Sequence, residues 1–352
     1  MAHIRTQVFD GPGRPLRLVE HTGGVELAPG EALVALRLAT ICGSDLHSFD
    51  GVRETAAPCV LGHEGIGHVV QQNDRVDCED GDRVTWSIAD TCGHCAPCTR
   101  HDLPEKCVQL FKYGHAALDD GTGLNGCFAT HVVVRRGTHM VRIPKGLSDA
   151  AAAPANCALA TAVNAVSQIS VPPRVAVVQG GGLLGLYTCA LLREAGAESV
   201  LCIEPAPARQ ALAERFGATP IDGGDLDRAT EEVLQRVGPA DVVLEMAGVR
   251  AVLTQGMRLL RNGGFYGLVG LVHPDSDLPI RAEDVIRRCL TLRGVHNYAP
   301  RHLDAAVAFL SRNATRLPFD ELFSPPFPLT ELAAAFDAAR ERTWARVGVV
   351  ST

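Results

Sequence analysis

The sequence predicts an α/β protein of two domains, one mainly of β structure and one built on a doubly wound parallel sheet. Three observations carry that prediction. The 352 residues exceed what one compact core of ordinary size holds, so two domains of roughly 150 to 200 residues are expected. The texture changes near Ser148, from short β segments broken by Gly and Pro to Ala-rich helix, and then to strands alternating with helices. A glycine-rich segment at 180–185 follows an apolar run and opens a helical pattern.

Taken in order, the first half offers the β segments VALRLA at 34–39, GIGHVV at 65–70, DRVTWSI at 82–88 and ATHVVVR at 129–135. The second half offers RVAVVQG at 174–180, SVLCIE at 199–204, DVVLEMAG at 241–248, GFYGLVG at 264–270 and TLRGVH at 291–296. Between these, LLGLYTCALLREAG and PARQALAERFG carry apolar residues at helical spacing. After residue 296 come two helical stretches, 301–311 and 329–340, and a terminal strand, ARVGVV. They are too little for a domain and are expected to pack back on one of the others.

Composition narrows the partners. Hydrophobic residues make up 46% and charged residues 21%, and no apolar run approaches the roughly 18 residues of a membrane span. The opening MAHIRTQVFDGPGRPLRLVE lacks a basic start followed by an apolar stretch, so a secretory signal is not expected and the cytoplasm is. A net charge of −7, without runs of Lys and Arg interleaved with aromatics, argues against nucleic acid and for a small-molecule partner. Twelve cysteines in a long cytosolic chain point to metal more than to disulfides.

Gly180-Gly181-Gly182-Leu183-Leu184-Gly185 fits G-x-G-x-x-G in the strand-to-helix context that motif requires. Gly180, Gly182 and Gly185, with the backbone of Leu183 and Leu184, allow a tight turn and a close approach to a pyrophosphate at the helix N-terminus. Glu204, 19 residues beyond Gly185 at the end of the next strand, suits the ribose hydroxyls and favours NAD over NADP. Arg209, five residues on, could pair with a 2′-phosphate, reach the ribose, or be a plain surface residue.

Two constellations suit zinc. Cys92, Cys95, Cys98 and Cys107 form C-x2-C-x2-C-x8-C, four soft thiolates that close a tetrahedral shell with no place for substrate, as a structural site requires. His94 and His101 lie in the same loop and are read as bystanders. The segments ICGSDLH and LGHEGIGHVV bring together Cys42, Asp45, His63 and Glu64. A catalytic zinc keeps three protein ligands and one open position. Cys42 and His63 are natural ligands, with Asp45 and Glu64 orienting them. Cys157, in ANCALAT where the two halves meet, is the candidate third ligand, although a Cys among Ala residues is more usually an inert core residue.

Taken together these residues resemble the zinc-dependent medium-chain alcohol dehydrogenases over essentially the whole chain. The GHE at 62–64, the four-cysteine loop and the GGGLLG segment stand in that family's order. The resemblance implies a GroES-like β-rich catalytic domain from residues 1–153 and 297–352, a Rossmann NAD-binding domain from 154–296, and substrate in the cleft between them. It also implies two zincs per chain and assembly into a homodimer or homotetramer. By this resemblance Cys42, His63 and Cys157 hold the catalytic zinc, Ser44 contacts the alcohol, His47 takes its proton, and Glu64 stands behind the metal. Cys157 followed by Thr161 matches the family's third-ligand segment, and Thr161 and Val269 join the cofactor contacts. The chain departs in its eight-residue last cysteine spacer, where seven is usual, and Asn156 beside Cys157 leaves room for variation because some relatives place Glu at the third position.

PANCALAT and GVHNY further resemble a group of alcohol dehydrogenases associated with phosphonate metabolism. That resemblance implies cationic partners for a dianion, and Arg53, Lys112, His115 and His296 are candidates. The competing readings are a quinone or enone reductase of the same fold without catalytic zinc, and a zinc-ribbon interaction protein with a regulatory nucleotide domain.

Overall fold

The computed structural model describes residues 3–273 and 276–351. The chain forms two compact units, Met1–Cys157 with Tyr298–Thr352, and Ala158–Asn297. The divisions fall at 157/158 and 297/298, a few residues from the expected 153/154 and 296/297. The fold class is the predicted one, a β-rich unit and an α/β unit with a parallel sheet.

In the first unit the organising element is the strand Ala32–Ile41, ten residues nearly all apolar and nearly all buried, as a strand covered on both faces must be. It pairs antiparallel with Glu64–Gln72, His131–Val134 and Val347–Val350. Arg83–Trp86 and Met140–Arg142 extend the same sheet beyond Glu64–Gln72. The terminal strand is therefore held by the first half of the chain, because the four residues Val-Gly-Val-Val have no sheet of their own to join. Thr40 pairs with Glu64 on one side and Gly348 on the other, and this register brings the end of the chain beside the GHE segment.

The core of this unit gathers Phe9, Val34, Trp86, Tyr113, Phe128 and Phe336. Phe336, on the helix Leu332–Arg340, stacks on Phe49 with ring centroids 4.2 Å apart and meets Phe128 edge-on at 5.6 Å. Phe49 ends the short helix Gly43–Phe49, so this stack fixes the element that carries Ser44, Asp45 and His47. An N-terminal hairpin, Ile4–Phe9 with Arg17–His21, was hidden by the Gly-Pro-rich turn that joins it.

The second unit is a six-stranded parallel sheet in the order Thr219–Asp222, Ser199–Glu204, Val175–Gln179, Ala240–Glu245, Leu260–Leu268, Thr291–Gly294. The order turns back between Val175–Gln179 and Ala240–Glu245, which opens a crevice at the carboxyl ends of those two strands. The strand Thr219–Asp222 and the helices Leu226–Val237 and Val252–Leu259 were not anticipated, although Ala229, Thr230 and Val233 mark one buried face of the first helix at helical spacing. The Ala-rich stretch after Ser148 is not one helix: Pro154 sits in a 3-10 turn, Ala153–Asn156, between the helices Asp149–Ala152 and Ala158–Ser167. Among the described residues no helix is long and apolar enough to cross a membrane.

Candidate active site and metal centres

Cys42, His63 and Cys157 meet in the first unit. Ligand atoms of these three and of Glu64 all lie within 4.8 Å of one another. Cys42 precedes the helix Gly43–Phe49, His63 precedes the strand Glu64–Gln72, and Cys157 ends the 3-10 turn, so three element boundaries supply the ligands. His63 Nε2 is 3.4 Å from Cys157 Sγ, and the two sulfurs are 4.0 Å apart. Two thiolates and an imidazole in this spacing are the donor set of a tetrahedral zinc with one position open, so the residues fit that metal.

The surrounding residues aim these donors. Asp45, fully buried, accepts from His63 Nδ1 at 3.2 Å and from the Cys42 backbone N–H at 2.8 Å. One carboxylate thus orients two of the three donors and leaves His63 Nε2 facing the site. Cys157 donating its S–H holds Cys42 well below its usual pKa, with Arg346 and His63 adding to the effect against burial. Cys157 is pushed up by that same bond and by burial. Burial disfavours a charged His63, but Asp45 and Cys42 outweigh it and raise the ring to about 10. Metal uptake here therefore releases protons.

Glu64 accepts from Thr40 Oγ1 at 2.5 Å and pairs with Arg346 through two bonds of 2.8 and 3.0 Å. A further Arg346 nitrogen contact reaches Cys42 Sγ at 3.5 Å. Sequence reasoning missed Arg346, since a single Arg in a terminal apolar strand gives no signal. Ser44 Oγ lies 3.4 Å from His63 Nε2, and His47 follows three residues later on the same helix.

Arg53, Lys112 and His115 also belong to this neighbourhood. The His115 ring centroid is 5.6 Å from that of His63, and Arg53 Nη1 donates to His115 Nε2 at 3.1 Å while His115 Nδ1 donates to Tyr113 O. Burial, then Lys112 and His63, drive His115 down to about 3, so the ring is neutral and acts as an acceptor for Arg53. Burial and the nearby Arg53 lower Lys112. Neither Arg53 nor Lys112 has an acidic partner within ion-pair distance among the described residues. His296 belongs to the other unit.

Cys92, Cys95, Cys98 and Cys107 likewise converge within 4.8 Å. Backbone N–H groups of Cys92 and Gln109 donate to Cys107 Sγ, and that of Val108, with Cys98, holds Cys95 down to about 6. The eight-residue spacer contains the 3-10 turn Pro104–Lys106, and the four thiols converge across it. His94 points to solvent and bonds the carbonyl of Cys92, and His101 is exposed.

In the second unit, Gly180 has φ +100°, and a Cβ on Gly185 would stand 1.9 Å from the Gly180 carbonyl oxygen. Both positions therefore require glycine. Gly182 caps the helix Leu183–Glu194 and has open space around it, as a cradle for a pyrophosphate needs. Leu183 is buried and Leu184 half-buried, so their backbone N–H groups, without acceptors in the first helical turn, are what they offer. Glu204 ends its strand with Oε2 on the Gly181 N–H and Oε1 on the Ala206 N–H, and Arg209 Nε lies 3.2 Å from Oε1. Val269 follows the strand Leu260–Leu268, and Thr161 lies half-buried on Ala158–Ser167. Glu245, not foreseen, accepts from the N–H groups of Gly248, Gly270 and Leu271 and so ties two loops at the carboxyl ends of the strands.

A β-rich unit with a three-donor metal site, joined to a unit with a dinucleotide-binding turn, has the parts of a metal-assisted oxidoreductase. Residues 28–145 match the alcohol dehydrogenase GroES-like domain, and residues 184–312 match the zinc-binding dehydrogenase family. A Mycobacterium tuberculosis protein named a probable zinc-binding alcohol dehydrogenase is 32% identical over 97% of this chain and 86% of its own. The crystal structure of an alcohol dehydrogenase from Thermotoga maritima superposes with a TM-score of 0.92 at 27% identity, covering 99% of this chain and 100% of its own. A Sinorhizobium meliloti protein assigned to the zinc-binding dehydrogenases, bound to NADP, gives 0.86 at 27%, covering 99% and 100%. The chain belongs to the zinc-binding alcohol dehydrogenases of the medium-chain dehydrogenase/reductase superfamily, oxidoreductases of alcohols and carbonyl compounds.

Proposed function

We propose that this chain is a zinc-dependent, NAD-linked alcohol dehydrogenase of the cytoplasm, acting on a small alcohol that bears a compact anion such as a phosphonate. The convergence of Cys42 Sγ, His63 Nε2 and Cys157 Sγ carries the reading, since a zinc-free reductase of this fold has no use for three such donors. When bound, zinc at these residues supplies Lewis acidity to the substrate oxygen, and NAD at the glycine turn supplies the hydride acceptor. Asp45 holds His63 in the tautomer that presents Nε2. Ser44, beside that nitrogen, is placed to take the alcohol proton, and His47, on the same helix face, to pass it to solvent.

Glu204 supports NAD, because a 2′-phosphate would meet its carboxylate and because Arg209 is already engaged with it. The second metal, at the four thiols, has a structural role. Exposure of the edge strand Thr291–Gly294 supports a homodimer or homotetramer.

Arg53 and Lys112 support the anion. Two unpaired cations beside a metal site repel each other, and a dianionic substrate group would relieve both. The test measures zinc per chain and the reduction of NAD and NADP with primary, secondary, polyol and hydroxyalkylphosphonate alcohols. Two zincs with NAD-linked turnover are expected, and one zinc without alcohol oxidation would transfer the chain to the zinc-free reductases. Arg53→Gln should raise KM for the phosphonate-bearing alcohol on the order of 10- to 100-fold more than for a neutral alcohol of equal length, the worth of one hydrogen bond to a charged group. Equal changes for both alcohols would remove the anion from the proposal.

A further inference from the structure

Asn156 is fully buried next to Cys157, and both of its amide N–H groups are spent on carbonyls. Nδ2 donates to His63 O at 3.0 Å and to Trp86 O at 2.8 Å. These two acceptors fix the amide's orientation, since a flipped amide would set its oxygen against two carbonyl oxygens. Its own Oδ1 then finds no hydrogen-bond partner among the described residues. Such an orphan costs about 1–3 kcal/mol, so a purely space-filling role would be better served by an apolar side chain.

The carbonyls it joins lie where the sheet comes apart. Glu64–Gln72 and Arg83–Trp86 pair at Gly67↔Val84 and His68↔Arg83, and the ladder does not reach His63 and Trp86. Asn156 spans that gap with one side chain. Tyr298 completes the bracket: its hydroxyl donates to Asn156 O and accepts from the Ile88 N–H at 3.1 Å. Tyr298 is buried, and its pKa is driven far up by burial, so it stays a neutral donor. The bracket thus holds His63 through its own carbonyl and Cys157 through its chain neighbour.

We propose that Asn156 and Tyr298 are positioning residues that set the spacing between His63 and Cys157 and so govern metal retention at the catalytic site. The inference rests on the reading of Cys42, His63 and Cys157 as metal ligands. The four-thiol site, which the bracket does not touch, serves as an internal control.

The experiment loads the wild-type chain, Asn156→Ala and Tyr298→Phe with cobalt(II) and follows both the thiolate charge-transfer spectrum and the rate of metal loss to a chelator. Two metals lost in two phases are expected of the wild type. Asn156→Ala should lose one of them on the order of 10- to 100-fold faster, the usual cost of removing a group that orients a ligand, with an altered cobalt spectrum and an unchanged second phase. Tyr298→Phe, which removes one oxygen, should show the same change to a smaller extent and decides the matter if Asn156→Ala does not fold. Variants that only melt earlier, with both phases and the spectrum as in the wild type, would overturn the positioning role. A wild type that takes up metal at the four thiols alone would overturn the ligand reading itself, and the inference with it.

Discussion

Glu64 and Arg346 are 282 positions apart in sequence, yet form a buried ion pair in the first unit, with Thr40 completing the carboxylate's bonds. Neither partner is neutral in energy when left alone. Removing one side of a buried pair typically costs about 3–5 kcal/mol, whereas replacing both with apolar groups is often close to neutral. Arg346→Leu should therefore lower stability by about that amount in urea unfolding, and Glu64→Leu with Arg346→Leu should recover much of it. A double variant that adds the two single losses would show that the pair is not energetically coupled. Ser44→Ala belongs to the same scale: turnover should fall roughly 100-fold or more with zinc content intact, and unchanged kinetics would remove the proton path from Ser44. Cys42, His63 and the four-thiol loop were legible because each shows in a short segment. Arg346, Asn156 and Tyr298 were not, since each is one ordinary residue whose meaning depends on which strand end the fold places beside it.

The elements tell a similar story. The glycine turn was readable because its constraint is local: the third glycine must pass against the first, and Gly185→Ala, putting a methyl 1.9 Å from Gly180 O, should abolish dinucleotide binding as measured by calorimetry. Retained affinity would mean that the turn does not hold the cofactor. The helix Pro300–Asn313 carries a device no periodicity reveals. Its third residue, His302, accepts the Ala299 N–H on Nδ1 at 3.1 Å, which only a neutral ring can do. Burial, then Arg301, lower that ring to about 4. As pH falls below the usual 6.5 the unfolded chain takes up this proton first, so the cap's stability is whole above 6.5 and is lost between 6.5 and about 4. Stability should fall over that window by up to about 1.4 kcal/mol per pH unit, the linkage slope of one titrating group. His302→Gln, which keeps an acceptor without a titration, should abolish this part of the pH dependence in urea unfolding. Wild type and variant falling in parallel would refute the assignment.

Across the whole molecule, the two proposed metal centres differ in what else holds their surroundings. The proposed catalytic donors sit at the ends of a sheet and helices packed on an aromatic core, which draws its order from apolar burial. The segment from Cys92 to Cys107 has one four-residue helix, one 3-10 turn and mostly exposed or half-exposed side chains, and of its residues only Glu105 and Cys107 are buried. One outer tie is the exposed pair Arg301–Asp102, and exposed pairs contribute about 0–1 kcal/mol. Four thiolates on one metal therefore supply most of the order of this lobe. Chelation, or Cys95→Ser, should open it locally and leave the parallel sheet of the second unit intact. Trypsin should then cut after Arg100 or Lys106 at least ten times faster than in the metal-loaded chain, while far-ultraviolet circular dichroism changes little. A lobe equally resistant with and without metal would mean that backbone bonds alone hold it. Loss of all structure on chelation would mean that the lobe is part of the folding core instead of an appendage to it.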